Sequence, residues 1–118
     1  MTIQFNSAHS VNANEKLKAP IIAILSEKLN RFSGHISRLD VHLSDENGNK
    51  EGLMDKRCLL EAHIDGAQAI VAKNHAHTYE LAAEGAVGIL KASLNAAFER
   101  AGNHHQPTKA VVDPEGSN

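Results

Sequence analysis

The stretch VHLSDENGNKEGLMDKRCLLEAHI, residues 41–64, alternates apolar and polar side chains on both sides of an Asn47-Gly48 pair. A period of two predicts two strands of a hairpin with one face turned to the core. About ten residues separate the strands, more than a tight hairpin needs, so part of this loop is expected to be mobile. The opposite face is polar, and its side chains include His42, Arg57, Glu61 and His63.

Length and composition indicate one small domain with an aliphatic core. The chain has 118 residues, of which 42% are apolar, with three Phe, one Tyr and no Trp. Scarce aromatic residues argue against nucleic-acid binding by base stacking. A single cysteine excludes an internal disulfide, and no apolar run is long enough for a membrane span or secretory signal. We therefore expect a cytoplasmic protein without a membrane partner.

Charge is unevenly distributed along the chain. The formal net charge is −2, which argues mildly against a nucleic-acid partner. Residues 1–39, however, carry five basic side chains against two acidic ones, whereas the remaining 79 residues carry seven basic and twelve acidic ones. Net charge alone therefore does not decide the partner.

Apolar periodicity upstream of the hairpin predicts a strand and a helix. Residues 2–6 alternate as a short strand, and Asn14 is a good N-cap for a helix that runs to residue 32. Pro20 lies inside this helix and predicts either a kink or a later start. The apolar stripe of the helix comprises Leu17, Ile21, Ile24, Leu25, Leu29 and Phe32.

Three strands and a second helix follow, at residues 38–44, 57–65, 68–74 and 78–101. Thr78 is the expected N-cap of this helix and Gly102 its expected C-cap, while Gly85 and Gly88 suggest a close approach to the sheet or the first helix. The predicted fold is therefore α+β, in the order β-α-β-β-β-α, with both helices on one face of a four-stranded sheet. We expect a folded domain over residues 1–102 and a flexible C-terminal tail over 103–118.

Motifs for catalysis or cofactor binding are missing from the sequence, so we expect no enzyme, no catalytic residue, no cofactor and no metal. The pair His75 and His77 would place two imidazoles on one side of an extended segment, but two ligands alone do not make a metal site. Cys58 is predicted to point inward. On the outer face His42 and His63 are expected to face each other across the hairpin, with Asp40 and Glu61 as polar neighbours.

Four segments together resemble the short ribosome hibernation-promoting factors, also called ribosome-associated inhibitor A or sigma-factor modulation proteins. They are KLNRFSGHI, RLDVHLSDENG, DKRCLLEAHIDG and YELAAEGAVGIL, and the similarity covers roughly residues 1–102. The resemblance implies a fold similar to double-stranded RNA-binding domains. It also implies binding to small-subunit ribosomal RNA in the channel for messenger and transfer RNA, with inhibition of translation under stress.

Basic side chains would contact the ribosomal RNA phosphates in such a protein, and no DNA partner is implied. The matching positions in this sequence are Lys16, Lys18, Lys28, Arg31, Arg38, Lys56, Arg57, Lys73, Lys91 and Arg100. We expect Lys56 and Arg57 to join Arg38 in a basic border of the sheet. The second helix has only two of these residues, so the alternative of a protein-interaction or regulatory module with weakened or lost RNA binding stays open. The sequence indicates no oligomeric state.

Overall fold

The computed structural model describes residues 1–7, 11–45 and 55–103, with side chains described to residue 100. It contains a four-stranded mixed sheet, two α-helices and a 3₁₀ turn. The elements are β1 (Thr2–Ser7), α1 (Glu15–Lys28), the 3₁₀ turn (Asn30–Phe32), β2 (Ile36–Asp45), β3 (Lys56–Ile64), β4 (Ile70–Ala76) and α2 (Tyr79–Asn103). The predicted α+β class and the order β-α-β-β-β-α are thus confirmed. The predicted tail lies outside the described residues, apart from residue 103 at the end of α2.

The strands lie in sequence order across the sheet. β1 pairs in parallel with β2, and β2, β3 and β4 form an antiparallel meander. The corner between β3 and β4 contains Gly66 at φ +74°, a backbone conformation that glycine adopts without steric cost. The strand alternation predicted from the sequence is confirmed, although β4 begins two residues later than predicted, at Ile70.

One hydrophobic core lies between the sheet and the two helices. It joins Ile21 and Leu25 of α1 to Leu39 of β2, Leu60 of β3 and Leu90 of α2, all of them without solvent exposure. Since α1 and α2 contribute to the same core, both pack on the same face of the sheet. Within residues 1–7, 11–45 and 55–103, the other face carries no helix.

Caps explain where the helices begin. The Leu17 amide donates to Asn14 Oδ1 over 3.1 Å, and the Leu81 amide donates to Thr78 Oγ1 over 3.1 Å, as predicted for both N-caps. α1 begins at Glu15 and continues through Pro20, so the late start allowed by the sequence is wrong. α1 also ends earlier than predicted, at Lys28, and the chain tightens into the 3₁₀ turn.

At the far end of α2 the prediction of a Gly102 C-cap is also wrong. The helix runs through Gly102 to Asn103. No helix within the described ranges is long and apolar enough to span a membrane.

Candidate functional site

The first helix and its 3₁₀ extension present exposed basic side chains. Lys16, Lys28 and Arg31 are exposed, and within the described ranges no carboxylate forms an ion pair with them. Arg31 lies over the Phe32 ring, 5.0 Å from its centroid, which holds the guanidinium at the surface of the core. Lys18 is half-buried, with its Nζ 5.8 Å from the centroid of the Phe5 ring. Lys16 lies in the first turn of α1, whereas Lys28 and Arg31 lie at its other end. These three side chains, together called the cationic helix surface, have charge free for an anionic partner.

The expected basic border of the sheet does not form. Arg38 lies opposite His63 and Arg57 lies opposite Ser44, so the two arginines stand at different ends of the β2–β3 ladder. Ser44 follows Arg38 by six positions along β2, a distance of about 20 Å at the usual rise per residue. Lys56 alternates with Arg57 and shares the inner, helix-side face with Cys58. These three cations therefore do not make one surface.

Lys56 is occupied by an ion-pair cluster on the helix side. Its Nζ lies 3.0 Å from Asp45 Oδ2, 3.3 Å from Asp55 Oδ1 and 6.0 Å from the centroid of the Tyr79 ring. The hydrogen bond to Asp45 raises the pKa of Lys56, and that to Asp55 adds to the effect. Asp55 is buried, so Lys56 compensates a desolvated carboxylate rather than offering a free charge to a partner.

The remaining predicted RNA-binding residues lie on other surfaces. Lys73 is exposed on the outer face of β4, opposite Leu59 of β3. Lys91 and Arg100 lie on α2, the first half-buried and the second exposed. The ten predicted positions are thus divided among the first helix region, the two ends of the β2–β3 ladder, the outer face of β4 and the second helix.

The outer face of the sheet holds a polar cluster centred on Asp40. Arg38 approaches both oxygens of this carboxylate, with Nε 3.0 Å from Oδ1 and an N–H of Nη2 donated to Oδ2 over 3.2 Å. His63 Nε2 lies 3.0 Å from Asp40 Oδ2. Glu61 Oε1 lies 3.7 Å from His42 Nε2 and 3.8 Å from His63 Nε2. The side chain of Asp40 is only 10% exposed, although neither α1 nor α2 covers this face.

Strand register corrects the arrangement expected from the sequence. Asp40 lies directly opposite Glu61, His63 opposite Arg38, and His42 opposite Leu59. The two histidines therefore do not face each other as an adjacent cross-strand pair, and Glu61 lies within 4 Å of both. Sequence alternation identifies the face of each side chain, but it leaves the register between the two strands open.

Metal-ligating groups come together in this cluster and not at His75 and His77. One ligand atom from each of Asp40, His42 and Glu61 lies within 4.8 Å of the other two. In the described ranges neither His75 nor His77 belongs to a group of three potential ligands. The alternation of the sequence places Asp40, His42 and Glu61 on the outer face. Only the strand register shows that they lie close together.

The cysteine is placed as predicted. Cys58 is without solvent exposure in the core, and His63 points to the outer face. Burial raises the pKa of the Cys58 thiol to about 12. A neutral, inaccessible thiol does not act as a nucleophile or metal ligand near neutral pH.

Architecture places the chain among β-α-β-β-β-α proteins with a mixed sheet and two helices on one face. Solved structures of other proteins share this fold, and two of them are similar to this chain over most of its length. A ribosomal subunit interface protein from Coxiella burnetii has a TM-score of 0.66 at 16% identity, over 84% of this chain and 99% of that one. The N-terminal domain of Protein Y from Thermus thermophilus has a TM-score of 0.64 at 14% identity, over 82% of this chain and 99% of that one.

Comparison of the sequence with known families and proteins does not assign the chain to a family. No protein-family model matches the chain, and no curated protein matches it. At such low identities the structural similarity shows a shared fold. The predicted α+β fold with the order β-α-β-β-β-α is shared with both structures.

Proposed function

We propose that this protein binds the small ribosomal subunit through its ribosomal RNA and inhibits translation under stress. The supporting observation is the fold shared, over nearly the whole length of each neighbour, with a ribosomal subunit interface protein and with Protein Y. The channel for messenger and transfer RNA is the proposed location of binding, and the cytoplasm is the proposed compartment. The activity is non-enzymatic, because occupying the channel is enough to block translation.

The cationic helix surface is the proposed main contact with RNA. Its members, Lys16, Lys28 and Arg31, are exposed and without ion pairs in the described part of the chain, so no internal interaction has to break before they meet phosphate. Phosphate contacts of this kind give affinity that falls with salt. Lys18, Arg57, Lys73, Lys91 and Arg100 remain proposed secondary contacts.

Arg38 and Lys56 are the weakest of the ten proposed contacts. Arg38 is paired with Asp40, and Lys56 is paired with Asp45 and Asp55. An RNA phosphate would have to replace a carboxylate at each position. Their charges are therefore better explained by stabilisation of the fold than by binding.

Sedimentation through sucrose gradients tests the proposal. The unchanged protein should sediment with the small subunit at low salt and return to the top of the gradient as salt increases. The double substitution Lys28→Glu and Arg31→Glu should prevent co-sedimentation, whereas the charge-preserving pair Lys28→Arg and Arg31→Lys should retain it. Protein that remains at the top of the gradient at low salt, or a charge reversal without effect, contradicts the proposal.

A protein-interaction module of the same fold, with RNA binding lost, is the second candidate. It is favoured by the net charge of −2 and by the exposed apolar residues Leu81 and Ile89 on α2. A pull-down that returns one defined protein and no ribosomal RNA would support this alternative. The gradient experiment separates the two candidates, because only the first predicts a salt-sensitive ribosomal complex.

A further inference from the structure

We propose that Asp40, His42 and Glu61 form a binding site for a divalent transition-metal ion on the open face of the sheet. The site is independent of ribosome binding and uses none of the residues of the cationic helix surface. It is defined by three side chains from two adjacent strands, in which Asp40 and Glu61 are directly opposite each other and His42 follows Asp40 on the same face.

Distances between the potential ligand atoms suit a metal ion after small side-chain rotations. The three atoms lie within 4.8 Å of one another, and His42 Nε2 is 3.7 Å from Glu61 Oε1. Ligand atoms about 2.1 Å from a tetrahedral zinc ion lie about 3.4 Å apart. The side chains of His42 and Glu61 are 39% and 33% exposed, so both have room to rotate by the required amount.

Ligand chemistry selects the class of ion. Two carboxylates and one imidazole form a mixed oxygen and nitrogen donor set, which suits zinc and its divalent transition-metal neighbours better than magnesium or calcium. A single imidazole and two carboxylates also leave coordination positions open on the solvent side. The proposed occupant is therefore a zinc-like ion with at least one exchangeable outer ligand.

Asp40 provides an observation beyond the proximity of the three groups. Its side chain is nine-tenths buried on the face opposite α1 and α2, and its Oδ1 makes no aligned hydrogen bond even though Arg38 Nε lies 3.0 Å away. His63 Nε2 lies 3.0 Å from Oδ2 and orients the carboxylate, the role that outer-shell residues have around metal ligands. A metal ion at Oδ1 would take the place of the Arg38 guanidinium, which lies close to this oxygen without an aligned hydrogen bond.

Arg38 is a competitor for the same carboxylate. Its side chain is 48% exposed, so it can rotate into solvent when an ion binds Asp40. Removing its positive charge should strengthen metal binding, because the ion then no longer displaces a guanidinium. Loss of Arg38 should therefore raise the metal affinity, whereas loss of a ligand should lower it. Weak binding by scattered histidines would not show these opposite effects.

Isothermal titration of the full-length chain with zinc tests the site. His104→Gln and His105→Gln are introduced first, since adjacent histidines bind zinc without a built site. This protein should bind one zinc ion, and magnesium should not compete. His42→Gln or Glu61→Gln should weaken the affinity at least about tenfold, as loss even of outer-shell partners does. The matched control His77→Gln should bind as before, and Arg38→Gln should bind more tightly.

Histidine side-chain NMR spectra of the otherwise unchanged protein provide a second measurement that needs no ligand substitution. Zinc should shift the imidazole signals of His42 and leave those of His77 in place. Zinc binding that survives both ligand substitutions, weakens equally in His77→Gln, or leaves the His42 ring signals unchanged overturns the proposal. Weaker binding by Arg38→Gln would also overturn it.

Discussion

Asn74 of β4 lies directly against Gly85 of α2. A Cβ atom at position 85 would be 2.7 Å from Cγ of Asn74, closer than side-chain atoms pack. The Asn74 Nδ2 also donates to the Ala82 carbonyl over 3.5 Å, so the amide group lies in the groove beside the helix backbone. The missing side chain at position 85 lets α2 approach the edge strand of the sheet.

Gly85→Ala is therefore expected to destabilise the protein although alanine is the better helix former. The intrinsic gain is about 1 kcal/mol, but the new methyl group has to displace the Asn74 amide, and we expect a net loss of about 1 kcal/mol. Gly88→Ala is the matched control, because nothing lies within 4 Å of a Cβ there. It should stabilise the protein by up to about 1 kcal/mol in urea unfolding. Equal effects of the two substitutions would contradict the close contact.

Pro20→Ala is expected to stabilise the protein. Pro20 is the sixth residue of α1, so its missing N–H removes the helical hydrogen bond to the Lys16 carbonyl. Alanine restores that bond and is the better helix former. We expect the free energy of unfolding to rise by about 1 kcal/mol or more. The comparison variant Asn14→Ala removes the N-cap and should lose about 1 kcal/mol. If Pro20→Ala destabilised the protein, the packing of the proline ring would have to contribute more than the lost helical hydrogen bond costs.

Local patterns in the sequence were enough for the element types and their faces. Alternation places Leu39 and Leu60 inside and His42 and Glu61 outside, and oxygen-bearing side chains identify both helix starts. Gly85 and Gly88 are equivalent in sequence terms, yet only at position 85 would a Cβ meet a side chain of the sheet. A Cβ contact depends on which helix face meets the strand, and that is fixed by tertiary packing.

Contacts of the charged residues were less predictable than the fold. The border of Arg38, Lys56 and Arg57 fails because neighbours along a strand alternate between faces and because register separates the two arginines. The polar cluster was recognised as a set of outward residues, but its pairs depend on a register that the sequence leaves open. The sequence thus predicts on which face most charged side chains lie. It does not predict which of them form ion pairs.

Alkaline pH should destabilise the fold through Cys58. Burial raises its pKa from the ordinary value of 9.0 to about 12, so the unfolded chain releases this proton at lower pH than the folded one. The stabilising contribution is complete below about pH 9 and is lost as the pH rises toward 12, by up to about 1.4 kcal/mol per pH unit. Burial likewise raises the pKa of Tyr79, and its effect has the same sign.

Cys58→Val separates the thiol from the other titrating groups. Valine keeps an apolar side chain in the strand and removes the ionisable group, so stability should depend less steeply on pH between 9 and 11 than in the unchanged protein. Urea unfolding at several pH values measures this difference. Parallel pH profiles for the two proteins would mean that the thiol is accessible in the folded state.

Substitutions of Lys56 and Lys28 should have different effects on stability and on ribosome binding. Lys56→Gln leaves the buried Asp55 without its nearest cation and breaks the bond to Asp45, so the melting temperature should fall. Its effect on co-sedimentation should be small, because the charge is already neutralised within the protein. Lys28→Gln removes an exposed charge with no ion pair in the described ranges, so it should leave the melting temperature nearly unchanged.

Co-sedimentation of Lys28→Gln, measured across a salt series, should weaken at every concentration. The logarithmic salt dependence should become shallower by about one unit, as expected when one phosphate contact is lost. The salt slope of Lys56→Gln should equal that of the unchanged protein at temperatures where both are folded. If Lys56→Gln instead flattened the slope as much as Lys28→Gln, an RNA phosphate would have to contact Lys56 Nζ in place of Asp45 and Asp55. The assignment of RNA binding to the cationic helix surface would then be wrong.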